Sequence, residues 1–300
     1  MELTDGPAPP PEHAIRTFAT AFARRSPGEA APPEPLPVSA YRAQMDELSA
    51  LLLELGPGEW DAPTLAGFTV AELIGHLLAV EGYTAAVLDI APPPGLPAFE
   101  TPAGLDHDHR GLTLPTVATQ ARRPPDEVVA EWWARVDADV AHLSDLTRRN
   151  EDALDRRVTF HGYDFSLRSV LGARVFEVWT HTDDIRRATG RPLAAPAPRH
   201  LAFMSSLAVG ALPLGLLLAG IDDPGRTVRV VLTGAGGGEF VQALTLGGTP
   251  GDPDATVTAD VVDFCRLAAQ RLTPAELRHE VTGDPRTAAD VLVGAGVFAA

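Results

Sequence analysis

Four long segments between residues 41 and 189 carry apolar residues at the three- and four-residue spacing of helices that bury one face. They run over residues 41–55, 69–90, 125–149 and 166–189. Ser166 can cap the last segment, and Gly190 followed by Pro192 ends it. Helices of this length in succession predict a four-helix bundle, and this pattern constrains the fold more than any other feature.

The pattern changes after a stretch rich in proline and alanine near residues 191–200. Residues 201–221 carry no charge, and we interpret them as one or two buried helices broken at Pro213, rather than as a membrane span. Short β-like runs and further helices follow. The strands are predicted over residues 227–233, 240–246, 255–258 and 278–282, and the helices over residues 259–271 and after the capping residue Asp284.

These patterns together predict a mixed α and α/β fold. A four-helix bundle over residues 41–195 is followed by a smaller α+β domain over residues 196–300. Residues 1–40, rich in proline and alanine, are predicted to form a loosely ordered N-terminal extension. Residues 91–125 are predicted to be a long polar connection.

Charge and residue usage exclude several classes of function. The net charge of −16 argues against a nucleic-acid or anionic-membrane partner, because both require a positive surface. All 24 basic residues are arginine, which excludes a Schiff-base lysine and a P-loop lysine. Cys265 is the single cysteine and is interpreted as a core residue, so no intrachain disulfide forms. No secretory signal is evident, and we expect a cytoplasmic protein.

Three residues on the second and fourth predicted helices could bind a metal ion. Glu177 and His181 are four residues apart, so both side chains lie on one helix face. His76 lies within an apolar helix that a bundle can bring against that face. Together the three would leave one coordination position open, as a catalytic zinc requires. The alternative is a core histidine beside an ordinary Glu–His hydrogen-bonded pair, since E-x-x-x-H is a short and common string.

Neighbouring polar residues have simpler explanations. Glu72 also lies four residues before His76, but with Thr69 it forms a predicted capping box. Asp184 could accept a hydrogen bond from His181, or it could be a solvated acid beside Arg187. The three glycines at 236–238 are interpreted as a hairpin connection, because no helix or lysine follows them.

The stretches around these residues resemble the mycothiol-dependent maleylpyruvate isomerase family. The likeness rests on WDAPT at 60–64, GFTVAELIGHL at 67–77, RVFEVWTHTDDI at 174–185 and TGRP at 189–192, with a weaker likeness from Asp260 to the GDP at 283–285. It spans residues 41–300 and implies a DinB-like metal-binding bundle followed by a sterol-carrier-like domain. The metal ligands of the family fall on His76, Glu177 and His181.

The resemblance also implies a reaction. The metal, Zn²⁺ or another divalent ion, would bind mycothiol as a thiolate that adds to a small electrophilic substrate, giving isomerisation or S-transfer. The family uses an arginine near the C-terminal end to hold the substrate carboxylate, and Arg271 is the matching residue. The family usually has glycine before that arginine, whereas this chain has Gln270.

Two other functions stay open from the residues. The same metal could activate water in a hydrolase, with Glu81 or Asp184 as the general base. Alternatively, the metal could be structural in a protein that binds an apolar ligand, with a fourth ligand from a further histidine. The candidates for that ligand are His107, His109 and His161.

Overall fold

The computed structural model describes residues 34–65, 67–99, 109–222 and 225–296. Most of the predicted N-terminal extension lies outside the described residues, as do His107 and the side chain of His109. The mixed fold predicted from the sequence is confirmed, with a helical N-terminal part and an α+β C-terminal part.

Four long helices form the N-terminal part and pack around one apolar core. They are α1 (Leu36–Leu53), α2 (Val70–Val87), α4 (Pro125–Arg149) and α5 (Leu167–Ala188), and a shorter helix, α3 (His109–Gln120), lies beside α2. Helix α1 packs against α5, and α2 packs against α4. The largest fully buried side chains in this core include Tyr41, Trp132 and Phe176.

Side-chain caps fix where α2 and α5 begin. The hydroxyl of Thr69 accepts from the backbone N–H of Glu72 at 3.2 Å, and the carboxylate of Glu72 accepts from the backbone N–H of Thr69 at 2.8 Å. Ser166 caps α5 by accepting from the backbone N–H of Ser169 at 3.1 Å. Both caps confirm the sequence interpretation, and they satisfy backbone N–H groups at the first turn of each helix.

Two elements differ from the prediction. The expected connection over residues 91–125 contains α3, whose pattern is interrupted in the sequence by the internal Pro115. A hairpin of β1 (Arg157–Phe160) and β2 (Tyr163–Ser166) precedes α5, and no strand was predicted there. Its turn residues His161 and Gly162 both have positive φ, a conformation for which Asn-Gly is the usual sequence. Because His-Gly stands in that place, the sequence lacks the usual hairpin signal.

A four-stranded sheet forms the centre of the C-terminal part. Its strands are β3 (Thr227–Thr233), β4 (Gly238–Ala243), β5 (Ala255–Asp260) and β6 (His279–Gly283), in the spatial order β4-β3-β5-β6. Strand β3 runs parallel to β5 and antiparallel to β4, and β5 pairs with β6 antiparallel. Residues 234–237 connect β3 to β4, as predicted for the glycine-rich stretch.

Helices cover one side of this sheet and join it to the bundle. They are α6 (Pro198–Gly210), α7 (Leu212–Leu218), α8 (Val261–Ala268) and α9 (Pro285–Gly294). Helix α6 contacts α1 and α5 as well as α8 and β4. At Gly172 in α5, an added Cβ atom would lie 2.2 Å from Cδ2 of Leu207, so the two parts of the chain meet closely. The domain boundary near residue 195 stays a prediction.

The longest apolar helix of the described residues belongs to the packed interior. Helix α2 is long and apolar enough to cross a membrane by length and composition, but 78% of its window is buried. Helices α6 and α7 pass the same test only together, and they are bent by 46° at their junction. The break falls at Ala211, and Pro213 lies in the first turn of α7, where its missing N–H costs nothing.

Candidate metal centre

The three predicted metal ligands lie together in the bundle. Helix α2 contributes His76, and α5 contributes Glu177 and His181. One ligand atom from each lies within 4.8 Å of the other two. Neighbouring ligands of a tetrahedral zinc ion are about 3.4 Å apart, so a small inward movement of the side chains would complete a three-ligand site.

The contacts of His76 orient it towards α5. Its Nε2 atom lies 3.0 Å from Oε1 of Glu177. Phe68 stacks on the other side of the imidazole, with ring centroids 5.7 Å apart. The rings of His76 and His181 meet edge to face at 5.3 Å. These contacts hold the imidazole inside the bundle, where it faces both predicted ligands from α5.

His181 is held in the form that a metal ligand needs. Its Nδ1 atom lies 3.1 Å from Oδ2 of Asp184. Burial lowers the pKa of His181, so the imidazole is neutral near pH 7. A neutral imidazole that donates from Nδ1 carries its lone pair on Nε2. That Nε2 atom is buried and has no hydrogen-bond partner among the residues that the structure describes.

Asp184 connects His181 to the C-terminal part of the chain. Arg271, which follows α8, donates from Nε to Oδ1 of Asp184 at 2.8 Å and from Nη2 to Oδ2 at 2.6 Å. Burial by itself would raise the pKa of Asp184, but the hydrogen bonds from Arg271 and His181 outweigh it and lower that pKa. Asp184 is fully buried, so the solvated alternative considered from the sequence is wrong.

The backbone before Arg271 has a conformation that favours glycine, although Gln270 stands there. Gln270 has a φ of 54°, in the left-handed region that glycine adopts without steric cost. Its side-chain amide donates to the carbonyl of Gly296 at 2.9 Å. The turn that presents Arg271 therefore keeps the glycine-like conformation although glycine is replaced.

A second arginine contacts Glu177 from inside the bundle. Nη1 of Arg174 donates to Oε2 of Glu177, and Nη2 donates to Oε2 of Glu81 at 2.8 Å. The hydroxyl of Tyr41 donates to the other oxygen of Glu81. Burial would lower the pKa of Arg174, but the charges of Glu177 and Glu81 raise it, so the guanidinium stays charged.

Sequence reasoning assigned no role to Arg174 or Tyr41. The available signal was an arginine three residues before Glu177 on a largely apolar helix face, where an unpaired charge would be costly to bury. The partner on another helix could not be identified without the packing.

The other sequence candidates are less suited to the site. Both oxygens of Glu81 accept hydrogen bonds inside the core, and those of Asp184 are held by Arg271, so neither carboxylate is available as a general base. His161 lies in the β1–β2 turn beside Tyr83, with ring centroids 4.9 Å apart. It does not belong to the three-residue cluster found among the described residues.

The charge of the centre fits a divalent cation. Arg174 neutralises one of the two carboxylates that it contacts, and Arg271 neutralises Asp184. A buried carboxylate with two imidazoles is a ligand set that zinc accepts.

Comparison with known proteins points to one family. Residues 41–186 match the family described as Mycothiol maleylpyruvate isomerase N-terminal domain. No curated protein sequence matches the chain.

Two solved structures are similar to most of the chain. One is the mycothiol-dependent maleylpyruvate isomerase, with 17% sequence identity and a TM-score of 0.50, and the other is its histidine-to-alanine mutant, with 16% identity and a TM-score of 0.52. Each alignment covers 84% of this chain and 96% of the other. At this identity the likeness shows the shared fold. Residues 41–186 therefore belong to the family described as Mycothiol maleylpyruvate isomerase N-terminal domain, and the chain as a whole shares the fold of the two solved structures.

Proposed function

We propose that this chain is a metal-dependent enzyme that uses mycothiol and acts on a small electrophilic molecule. His76, Glu177 and His181 would hold Zn²⁺ or another divalent ion. The observation that carries this proposal is the buried Nε2 atom of His181, which has no hydrogen-bond partner among the described residues and lies in a cluster with the other two side chains.

The surrounding residues support this role. A divalent cation at the centre would lower the pKa of a coordinated thiol and so supply the thiolate that mycothiol chemistry needs. Asp184 fixes the tautomer of His181, and Arg174 holds one oxygen of Glu177. With one anionic ligand and two neutral imidazoles, a divalent ion would leave a single positive charge, which a bound thiolate would neutralise.

Arg271 acts in this proposal through Asp184. Two of its guanidinium nitrogens bond that carboxylate, so Arg271 positions His181 indirectly. Its contact with a substrate carboxylate, implied by the family resemblance, stays a prediction.

The reaction itself is proposed at the level of the family. The solved relatives are maleylpyruvate isomerases, and we propose isomerisation or S-transfer on an electrophile of that kind, in the cytoplasm. The hydrolase alternative has less support, because the two carboxylates considered as bases are both paired.

The test is the rate of maleylpyruvate conversion by the zinc-loaded chain, with and without mycothiol. We expect conversion only when mycothiol is present, and a loss of at least about 100-fold in Glu177→Gln. Glu72→Gln is the matched control, because it makes the same change one helical turn from His76 in a capping box. Equal rates with and without mycothiol would exclude the proposed thiol chemistry.

A further inference from the structure

A groove between α1 and α4 contains a cavity of about 250 Å³. Met45 of α1 and Val136 and Val140 of α4 line it, and all three are nearly fully buried. The partly buried Trp133 lines it as well. The lining includes none of the three predicted metal ligands, so this groove is a separate feature of the bundle.

The charged residues of this groove favour a cationic ligand. Asp46 on α1 and Asp137 on α4 line the groove, and these two exposed residues form its acidic rim. Arg42 lines it too, but its Nε and Nη2 atoms donate to the carboxylate of Glu34 at 3.1 and 2.9 Å. The hydrogen bonds to Glu34 raise the pKa of Arg42, and the charges of the acidic rim add to this effect. Among these four residues, three carboxylates stand against one guanidinium.

The described part of the chain begins at the same groove. Glu34 is its first residue, and its carboxylate bonds Arg42 of α1 and also accepts from the hydroxyl of Ser144 of α4. Both partners lie on the helices that form the groove. The residues before Glu34 therefore start beside a cavity that has an apolar lining and an acidic rim.

The sequence before residue 34 combines aromatic and basic residues. Phe18 and Phe22 are four positions apart, and Arg24 and Arg25 follow them. Aromatic rings gain free energy by leaving water for an apolar surface. Arginine side chains pair with carboxylates. This segment therefore offers both kinds of group that the groove accepts.

The connecting chain is long enough for this contact. Eight residues separate Arg25 from Glu34, and the extended chain between them spans up to roughly 30 Å. Along α1, Asp46 lies ten residues beyond Leu36, which is a rise of about 15 Å. Arg25 can therefore reach the acidic rim without any change in the described helices.

We propose that the groove between α1 and α4 binds residues 18–25 of the same chain. In this arrangement Arg24 and Arg25 pair with the acidic rim, and the two phenylalanine rings pack against Trp133 and Met45. The contact holds α1 against α4 from outside the bundle. It is independent of the metal and of the thiol chemistry, so a failure of the proposed function leaves it unaffected.

Methionine methyl groups test this contact in the full chain. Met45 lines the groove, whereas Met204 is fully buried in α6. A nitroxide attached to Ala23→Cys is selective, because the native Cys265 is buried and burial raises the pKa of its thiol. We expect the oxidised nitroxide to remove most of the Met45 methyl signal and to affect Met204 less. An unchanged Met45 signal, or a larger loss at Met204, would contradict the proposal.

A mixed sample identifies the occupant of the groove. It combines methyl-labelled chain without the nitroxide and unlabelled chain that carries it. The Met45 signal should stay intact in this mixture. Its loss would assign the groove to a second copy of the chain and overturn the proposal.

Variants of the acidic rim test the role of charge. Asp46→Asn combined with Asp137→Asn should restore most of the Met45 signal in the nitroxide-labelled chain. Asp145→Asn is the matched control, because it changes a partly exposed acid elsewhere on α4, and it should leave the loss unchanged. A loss that persists without the acidic rim would contradict its pairing with Arg24 and Arg25. The comparison of Met45 with Met204 in the chain with an intact rim does not depend on whether these variants fold.

Discussion

Two arginine–carboxylate pairs flank the candidate metal centre, and they differ in where their partners come from. The inner pair joins Arg174 to Glu81, and Arg174 also bonds Glu177. The outer pair joins Arg271 to Asp184, which also bonds His181. The inner pair is confined to two bundle helices and is almost fully buried. The outer pair joins the bundle to the C-terminal part, and its arginine side chain is 10% exposed.

This difference separates folding from positioning. The inner pair neutralises charge that has no access to water, so the bundle core depends on it. The outer pair can lose its arginine while Asp184 keeps its hydrogen bond to His181. The position of Glu177 therefore depends on the bundle alone. The position of His181 depends, through Asp184, on how the C-terminal part packs against α5.

Removing the inner arginine should have the largest effect on stability. Arg174→Met leaves the charges of Glu81 and Glu177 in the core without their partner, and loss of one member of a buried pair costs about 3–5 kcal/mol. Urea unfolding of the metal-free protein measures this loss. Adding Glu81→Gln to the variant should recover part of it. A loss below about 1 kcal/mol would show that the inner pair does not support the core.

Removing the outer arginine should cost less. For Arg271→Met we expect about 2 kcal/mol in the same unfolding experiment, because hydrogen bonds to a charged group are lost while Asp184 keeps His181 as a partner. Zinc affinity should fall by up to about tenfold, because Asp184 is less firmly held behind its histidine. A cost equal to that of Arg174→Met would remove the distinction between the two pairs.

Acid should weaken the outer pair in a defined pH range, and this is the smallest effect expected. The pKa of Asp184 lies below its usual value of 3.8 in the folded chain, so its ionised form stabilises folding above that pH. This contribution is lost as the pH falls through the lower folded pKa.

The wild-type chain and Asp184→Asn should therefore converge in unfolding free energy as the pH drops below about 3.8. Chemical denaturation at a series of pH values measures the difference between them. A difference that stays constant over this range would mean that Asp184 is not held ionised by Arg271 and His181.

The sequence predicted the helices of the bundle and the strands of the C-terminal part well, because their signals are local. Residues 125–149 and 227–233 were predicted with the bounds that α4 and β3 have. The grouping of His76 with Glu177 and His181 also followed from helix periodicity and from the assumption of a bundle. These are cases in which spacing along the chain determines which face a residue occupies.

What the sequence could not provide depends on contacts between distant elements. Arg174 reaches Glu81 from another helix, and Arg271 reaches Asp184 across 87 positions of sequence. Helix α3 was missed because Pro115 interrupts its pattern, and the β1–β2 hairpin because His-Gly replaces a stronger turn signal. In each case tertiary packing decided the structure where local preference was weak.

The most direct test of the metal centre is the number of zinc equivalents that the purified chain retains after reconstitution and removal of free metal. We predict about one equivalent for the wild-type chain and near zero for His181→Ala, with a circular dichroism spectrum that shows the variant is folded. His200→Ala is the matched control, because this buried histidine lies outside the three-residue cluster and should leave zinc binding unchanged. A wild-type chain that retains no zinc, or a His181→Ala variant that retains as much as the wild type, would contradict the assignment of the metal centre.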